Sequence, residues 1–302
     1  YALQHCLPGG LGDLVSALNG QRQNINNPDC QDPNPHQCNQ YNPGDPNEIH
    51  GYTSDAGSKF ISDSVREVSY SIEFENDPKI ANASAHKIVV TNELDKNVFD
   101  LSSFMPTKIQ IGDKTLELDG KKNFTHTIDM RPEINAIAQV DLDYNETEGV
   151  ATWTISSLDP MTMEETFDIM QGVLPVNSNG NGIGFLSYSI GIRKQMDDGD
   201  AFSNSASITF DFEEPIETPV WTNTVDAIAP ESEITLATSV ANDITLRFDA
   251  NDNRSGVWKY NLYVQEVKDG KWTKVEDEIT TSEYTFKGIE GFDYGFCVMA
   301  VD

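Results

Sequence analysis

Apolar residues that recur at every second position restrict this chain more than any other feature. Val68, Tyr70, Ile72 and Phe74 alternate with Ser69, Ser71 and Glu73, so an extended segment has one apolar and one polar face. Ala151, Trp153 and Ile155 repeat the beat, and Ala206, Ile208, Phe210 and Phe212 are expected to share one buried face. Residues 108–111 and 115–118 flank Gly112-Asp113-Lys114, a hairpin signal, and residues 137–142 and 150–155 flank a second turn at 143–149. Further strands are expected at 86–94 and 183–192. Residues 164–173 read as either one short helix or a loop with apolar anchors. Short strands separated by turns rich in Gly, Asn, Asp and Pro predict an antiparallel β-sandwich.

The 302 residues suggest about two domains. Residues 1–43 stand apart. Leu7, Leu11, Leu14, Val15 and Leu18 fall at helical spacing, with Gly20 as a C-cap, and residues 24–43 read as a linker rich in Asn, Asp, Gln and Pro. Residues 44–227 form the larger expected sandwich. Residues 228–302 form a smaller one, with strands near 234–236, 244–248, 258–264, 271–275, 284–286 and 294–301. Tyr294 precedes Phe296, Val298 and Ala300, the tyrosine-corner arrangement of immunoglobulin-like sandwiches. The expected fold class is all-β, with tandem antiparallel sandwiches behind a short helix and linker. The start at Tyr1 and the stop inside an apolar alternation predict a window cut from a longer protein, with the final strand of the small sandwich missing.

The formal net charge of −29 disfavours nucleic acid and anionic membrane as partners, because the field repels phosphate. No apolar run approaches the ~20 residues that span a bilayer, and no membrane insertion is expected. Cys30 and Cys38 bracket a segment with almost no core, where a small disulfide loop is expected; free thiols, or zinc with His36, are the competing readings.

Residues 228–302 resemble a bacterial fibronectin type III or immunoglobulin-like module. The carriers are Asn251-Asp252-Asn253-Arg254-Ser255-Gly256-Val257, the Tyr260-x-Leu262-Tyr263-Val264 run, and the alternation from Tyr294 to Asp302. Residues 44–227 resemble an uncharacterised domain of large secreted bacterial surface proteins. Here the carriers are Asp45-Pro46-Asn47-Glu48, Phe74-Glu75-Asn76-Asp77-Pro78, Asn204-x-Ala206-Ser207-Ile208-x-Phe210-Asp211 and Glu214-Pro215-Ile216-x-Thr218. The resemblance implies an extracellular, multidomain architecture and no known reaction.

No GxSxG, HExxH or P-loop occurs, and none of the five histidines sits in a nucleophile or metal motif. Neighbouring acids such as Glu164-Glu165 point apart on a strand and do not make a glycosidase pair. Calcium is the best chemical candidate, since it takes oxygen ligands that acidic, Asn-rich loops supply. Asp249, Asn251 and Asp252 match a DxNDN spacing that resembles an interdomain calcium motif of cadherins; a polar loop ending at Gly256 competes. Glu75 and Asp77, facing Asp95, form a second candidate set, against which stands a backbone-capping turn. Asp141, Asp143 and Asn145 begin like an EF-hand, but Glu146 replaces the required Gly, so a hairpin turn is expected. Asn82, Asn123, Asn145 and Asn253 are glycosylation sequons. Trp221, Trp258 and Trp272 would stack on sugar if exposed, whereas aromatics in sandwiches ordinarily fill cores.

These readings converge on a non-catalytic structural or adhesive segment of a secreted or cell-surface bacterial protein, with calcium stiffening its loops. Other domains of the same protein, copies of itself, a glycan or a host surface protein are the expected partners. A carbohydrate-binding accessory module of a secreted enzyme is the alternative.

Overall fold

The computed structural model describes residues 47–193 and 196–302. The expected helix, the linker, Cys30 and Cys38 lie outside them. The chain divides into two compact units, with the boundary between Val225 and Asp226. Strands in the first unit are β1 (Glu48–His50), β2 (Phe60–Ser62), β3 (Glu67–Glu75), β4 (Lys87–Glu93), β5 (Phe99–Ile111), β6 (Lys114–Glu117) and β7 (Phe124–Asp129). They continue with β8 (Ile137–Asn145), β9 (Val150–Leu158), β10 (Ile183–Ile192), β11 (Ala201–Asn204), β12 (Ala206–Phe210), β13 (Ile216–Glu217) and β14 (Trp221–Asp226), whose last residue begins the second unit. The second unit holds β15 (Glu231–Val240), β16 (Asp243–Asn251), β17 (Lys259–Glu266), β18 (Trp272–Ile279), β19 (Glu283–Lys287) and β20 (Tyr294–Val301). No helix forms among the described residues, and residues 164–173 are a loop. None of the described residues belongs to a helix long and apolar enough to cross a membrane.

In the first unit a five-stranded sheet, β1-β3-β10-β5-β6, and a six-stranded sheet, β13-β12-β4-β9-β8-β7, share one core, and β11-β14-β2 form a smaller sheet. Pairing within the five- and six-stranded sheets is antiparallel; β10 lies between β3 and β5, with Tyr188 opposite Tyr70 and Pro106. The alternation read from the sequence is what the sheets bury. Val68, Tyr70, Ile72 and Phe74 of one sheet and Ile88, Val90, Trp153 and Ile155 of the other are all withdrawn from water. Each such side chain contributes about 1.5–3 kcal/mol on burial. Between the sheets, the rings of Phe104 and Tyr144 stack with centroids 4.2 Å apart. Gly184 is cross-strand from Phe74, and a Cβ there would lie 2.2 Å from the Phe74 ring, so only glycine lets that ring lie flat on the strand.

A buried polar triangle ties the two sheets. The Tyr188 hydroxyl on β10 donates to Asn92 Oδ1 on β4, Asn92 Nδ2 donates to Asn204 Oδ1 at 2.7 Å, and Asn204 Nδ2 donates back to the Tyr188 oxygen at 2.7 Å. Burial holds the Tyr188 phenol well above its ordinary pKa, so it stays a donor.

One alternation breaks. The expected fourth member of the β12 face, Phe212, is 87% exposed. Asp211 adopts φ +49° after Phe210, a left-handed turn that ends the strand and swings the next side chain outward.

The second unit pairs β15-β16-β19 and β18-β17-β20 as two three-stranded sheets. Leu246, Phe248, Leu262, Ile279, Phe296 and Val298 form its core. The Tyr294 hydroxyl accepts the Ile289 amide at 3.1 Å, the backbone tie expected of a tyrosine corner. Cys297 is buried and disulfide-bonded.

Candidate functional site

The candidate calcium residues do not assemble as the sequence suggested. Glu75 Oε1 accepts Asn177 Nδ2 at 2.6 Å, Asp77 Oδ1 caps the Lys79 amide at 2.9 Å, and Asp95 Oδ1 caps Asn97. Glu75 pairs with Ile183 at one end of β10, whereas the Asp95 carbonyl binds the amide of Phe99, which pairs with Ile192 at the other. Nine steps along a strand at about 3.3 Å each keep the two carboxylates apart, so Asp95 cannot join Glu75 and Asp77 around one ion. The run at 141–145 forms the expected hairpin: Asp141 accepts the Thr125 hydroxyl, and Asn145 Oδ1 accepts the amides of Thr147 and Glu148.

Asp249 and Asn251 also part from Asp252. Both are exposed on β16, opposite Glu233 and Glu231 of β15. Beyond the strand, Asp252 turns to meet Asp226 and Asp302, with one carboxylate oxygen of each within 4.8 Å of the others. Asp252 Oδ2 accepts the Arg254 and Gly256 amides at 2.7 and 2.9 Å, while its Oδ1 is buried without a donor among the described residues. Asp226 Oδ2 accepts the Ser255 amide at 2.9 Å. Burial, and then the neighbouring Asp226 and Asp252 charges, raise the Asp302 carboxyl above the usual range. Three carboxylates from separate segments could supply oxygens to a hard cation. Sequence spacing gave no hint of Asp226 or Asp302, because only the fold brings them to Asp252.

The candidate sugar platforms are mostly spent on structure. Trp272 is 6% exposed and packs with Tyr263 and Cys297, which leaves no face for a sugar. Trp221 packs against the core, donates to Asn223 Oδ1 at 3.0 Å and carries the Lys59 ammonium 3.7 Å from its ring centroid. Trp258 is more open, with Lys259 Nζ 4.0 Å from its ring.

A different region shows the features of a binding surface. After β9, residues 159–172 form a loop that displays Met161, Met163, Phe167, Ile169 and Met170 to solvent, beside Phe212. Phe167 stacks on Phe212 with centroids 5.5 Å apart. Hydrogen bonds hold the loop. Asp159 Oδ1 accepts the amides of Met161 and Thr162, and its Oδ2 accepts Gln171 Nε2 at 2.9 Å. These bonds, led by the one from Gln171, hold the Asp159 carboxyl below its ordinary range. Thr166 donates to Gln171 Oε1 at 2.8 Å, and its amide binds the Ser157 carbonyl. His86 Nε2 lies 2.7 Å from the Asp168 carbonyl, and Asp211 Oδ1 accepts the amides of His86 and Lys87. Gly172 closes the loop where a Cβ would sit 2.4 Å from Ser84 Cβ.

Next to Phe212 opens a cleft of about 450 Å³. Its walls carry Glu75, Asp77, Asp211, Glu213 and Glu214, with Ile80, Phe210 and Ile216 among them. Asn47 also lines it, 6% exposed, and its side-chain oxygen has no hydrogen-bond donor among the described residues. The sequence pointed to Glu75 and Asp77 as ion ligands, read Glu213-Glu214 only as neighbouring acids that point apart on a strand, and placed Phe212 in the core. The one local signal is the Glu213-Glu214 pair itself, which ends the alternation after Phe212.

Comparison with known proteins gives a partial picture. A family model described as a domain of unknown function (DUF7619) matches residues 154–225, which include the loop and Phe212. No curated protein sequence matches. Similar solved structures include the collagen-binding domain of a Staphylococcus aureus adhesin, at 12% identity and TM-score 0.34, covering 61% of this chain and 99% of that one. The C-terminal domain of the Streptococcus pyogenes antigen I/II-family protein AspA is similar at 13% identity and TM-score 0.34, covering 85% and 92%. Fibronectin(III)-like modules of Clostridium thermocellum CbhA are similar at 14% identity and TM-score 0.29, covering 83% and 84%.

Proposed function

We propose that this chain is a non-catalytic structural and adhesive segment of a large secreted or cell-surface bacterial protein. The carrying observation is the loop at 159–172, an ordered segment that holds five large apolar side chains in water beside Phe212. Leaving apolar area hydrated forgoes roughly 25 cal/mol per Å², and a patch of this kind marks a surface that meets another molecule. The disulfide-bonded Cys297 fits an oxidising compartment outside the cytoplasm. Calcium bound by Asp226, Asp252 and Asp302 would relieve the repulsion among them and stiffen the second unit.

Two measurements test this reading. Fluorescently labelled chain is applied to cell and extracellular-matrix surfaces, with Met170→Ser/Phe212→Ser as the variant. Adhesion is expected to fall several-fold while the melting temperature stays within about 2 °C, because exposed positions change stability little. Undiminished adhesion of the variant, or turnover of a substrate by the chain, overturns the reading. For the ion, chelator is expected to lower the melting temperature, and Asp252→Asn is expected to remove that difference. A melting curve that ignores both chelator and added calcium removes the ion from the proposal.

A further inference from the structure

We propose that the acidic cleft beside Phe212 is a docking site for a polypeptide segment of a partner protein in which Lys or Arg alternates with apolar residues. The inference deepens the adhesive reading and rests on it. Its first support is the sign and spread of the charge. Glu75, Asp77, Asp211, Glu213 and Glu214 line one cleft, and among the described residues no Lys or Arg lines it. The nearby Lys87 is taken by Glu165, with Nζ 3.7 Å from Oε1. A cleft lined with one sign of charge attracts the opposite sign and fixes its register.

Spacing separates a peptide from a metal ion. A single cation needs several oxygens around one point. Among the described residues, the acidic group that converges within 4.8 Å is Asp226, Asp252 and Asp302, and none of the cleft carboxylates belongs to it. Negative charge distributed along a cleft instead matches positive charges distributed along an extended chain.

The second support is what stands at the rim. Phe212 follows one lining residue and precedes another, yet points outward and stacks on Phe167. Ile80, 77% exposed, lies among the lining residues. Apolar side chains flanking the basic ones would cover these three, and lysine or arginine stems would lie along the same surface. A third, independent feature is Asn47. It is more than nine-tenths buried in the cleft wall and its side-chain oxygen lacks a donor among the described residues, an unmet acceptor that a small shift of the side chain would turn toward a bound ammonium, guanidinium or backbone N–H.

The test titrates the full chain against three fluorescent peptides by anisotropy. One alternates Lys with Leu, one replaces every Lys with Glu, and one replaces every Leu with Ser. The net charge of −29 would attract any cation, so two chains with the same change of charge are compared. Glu213→Lys/Glu214→Lys alters the cleft, and Glu231→Lys/Glu233→Lys alters the exposed start of β15 in the other unit. The Lys–Leu peptide is expected to bind the wild type and the β15 variant alike, and the cleft variant roughly tenfold more weakly. Phe212→Ser is expected to weaken it several-fold, and the Ser-containing peptide to bind less well than the Leu-containing one. Equal weakening by both charge variants would mean that only bulk charge is sensed, and would overturn the proposal. So would a glycan-array signal lost in Phe212→Ser without peptide binding. If the cleft variant adheres to surfaces as the wild type does, this site is wrong and the adhesive reading stands. If the peptide binds at the cleft while the wild type adheres to no surface, the site stands and the adhesive reading falls.

Discussion

Trp153 and Phe212 are large aromatic residues of the same unit with opposite surroundings. Trp153 lies in the middle of β9, wholly buried, with Ala151 and Ile155 on its face and Phe124 edge-on at 6.0 Å. Phe212 lies two residues past the end of β12 and is 87% exposed, yet its neighbourhood is ordered by a dense set of hydrogen bonds from Asp159, Thr166, Gln171 and Asp211. Burial supplies stability at the first place. At the second, polar contacts hold a surface in shape at the expense of hydrating it. The difference separates the residues that keep this unit folded from those that shape its surface.

The largest effect should come from the core. Trp153→Ala removes a fully buried side chain between the sheets and is expected to cost about 3–5 kcal/mol, measured by urea denaturation with an unchanged slope. A loss below about 1 kcal/mol would mean that the sandwich interior is not close-packed there. A smaller effect is expected in the loop. Gln171 bridges Asp159 and Thr166, so Gln171→Ala forfeits two hydrogen bonds, roughly 1–3 kcal/mol. Much of that loss would be local: limited proteolysis should cut within residues 159–172 sooner, well before global unfolding. If Gln171→Ala destabilises as much as Trp153→Ala, the loop belongs to the folding core and the contrast collapses.

The alternation made the sandwich legible. Val68 to Phe74, the hairpin at Gly112 and the face shared by Ala151, Trp153 and Ile155 follow from period two alone, because a strand that buries one face must alternate. The surface was legible only in fragments. Glu75 and Asp77 drew attention as acids at a strand end, but Asp95 lies at the other end of β10, and sequence distance carries no information about which end a loop occupies. Asp252 was singled out with Asp249 and Asn251, yet one step past the strand it turns toward Asp226 and Asp302. Phe212 was assigned to the core because a backbone turn at Asp211 leaves no mark on the alternation. Local rules fail where the chain does something other than pack, and here that place is the rim of the cleft.

The smallest predicted effect tests the outer face of the strand that carries the core residues. On β3, Ile72 points inward, while the adjacent Glu73 faces out, cross-strand from Glu48 of β1 and two residues from Glu75. Partial burial, then the Glu48 and Glu75 charges, push the Glu73 carboxyl up to about 7. The folded form therefore holds a proton that the unfolded chain, with its ordinary carboxyl, has released. Stability attributable to Glu73 is full below the unfolded value, falls as pH rises from there to about 7, and is flat above. Glu73→Gln abolishes this slope and relieves the repulsion at neutral pH. The side chain is partly exposed, so solvent screening reduces the gain to roughly 0.5 kcal/mol, or about 1–2 °C. Melting curves of the two proteins from acid to neutral pH should differ most at and above pH 7 and converge toward acid. A constant offset, or a gap that widens toward acid, would mean that the outer face of β3 does not carry this charge crowding.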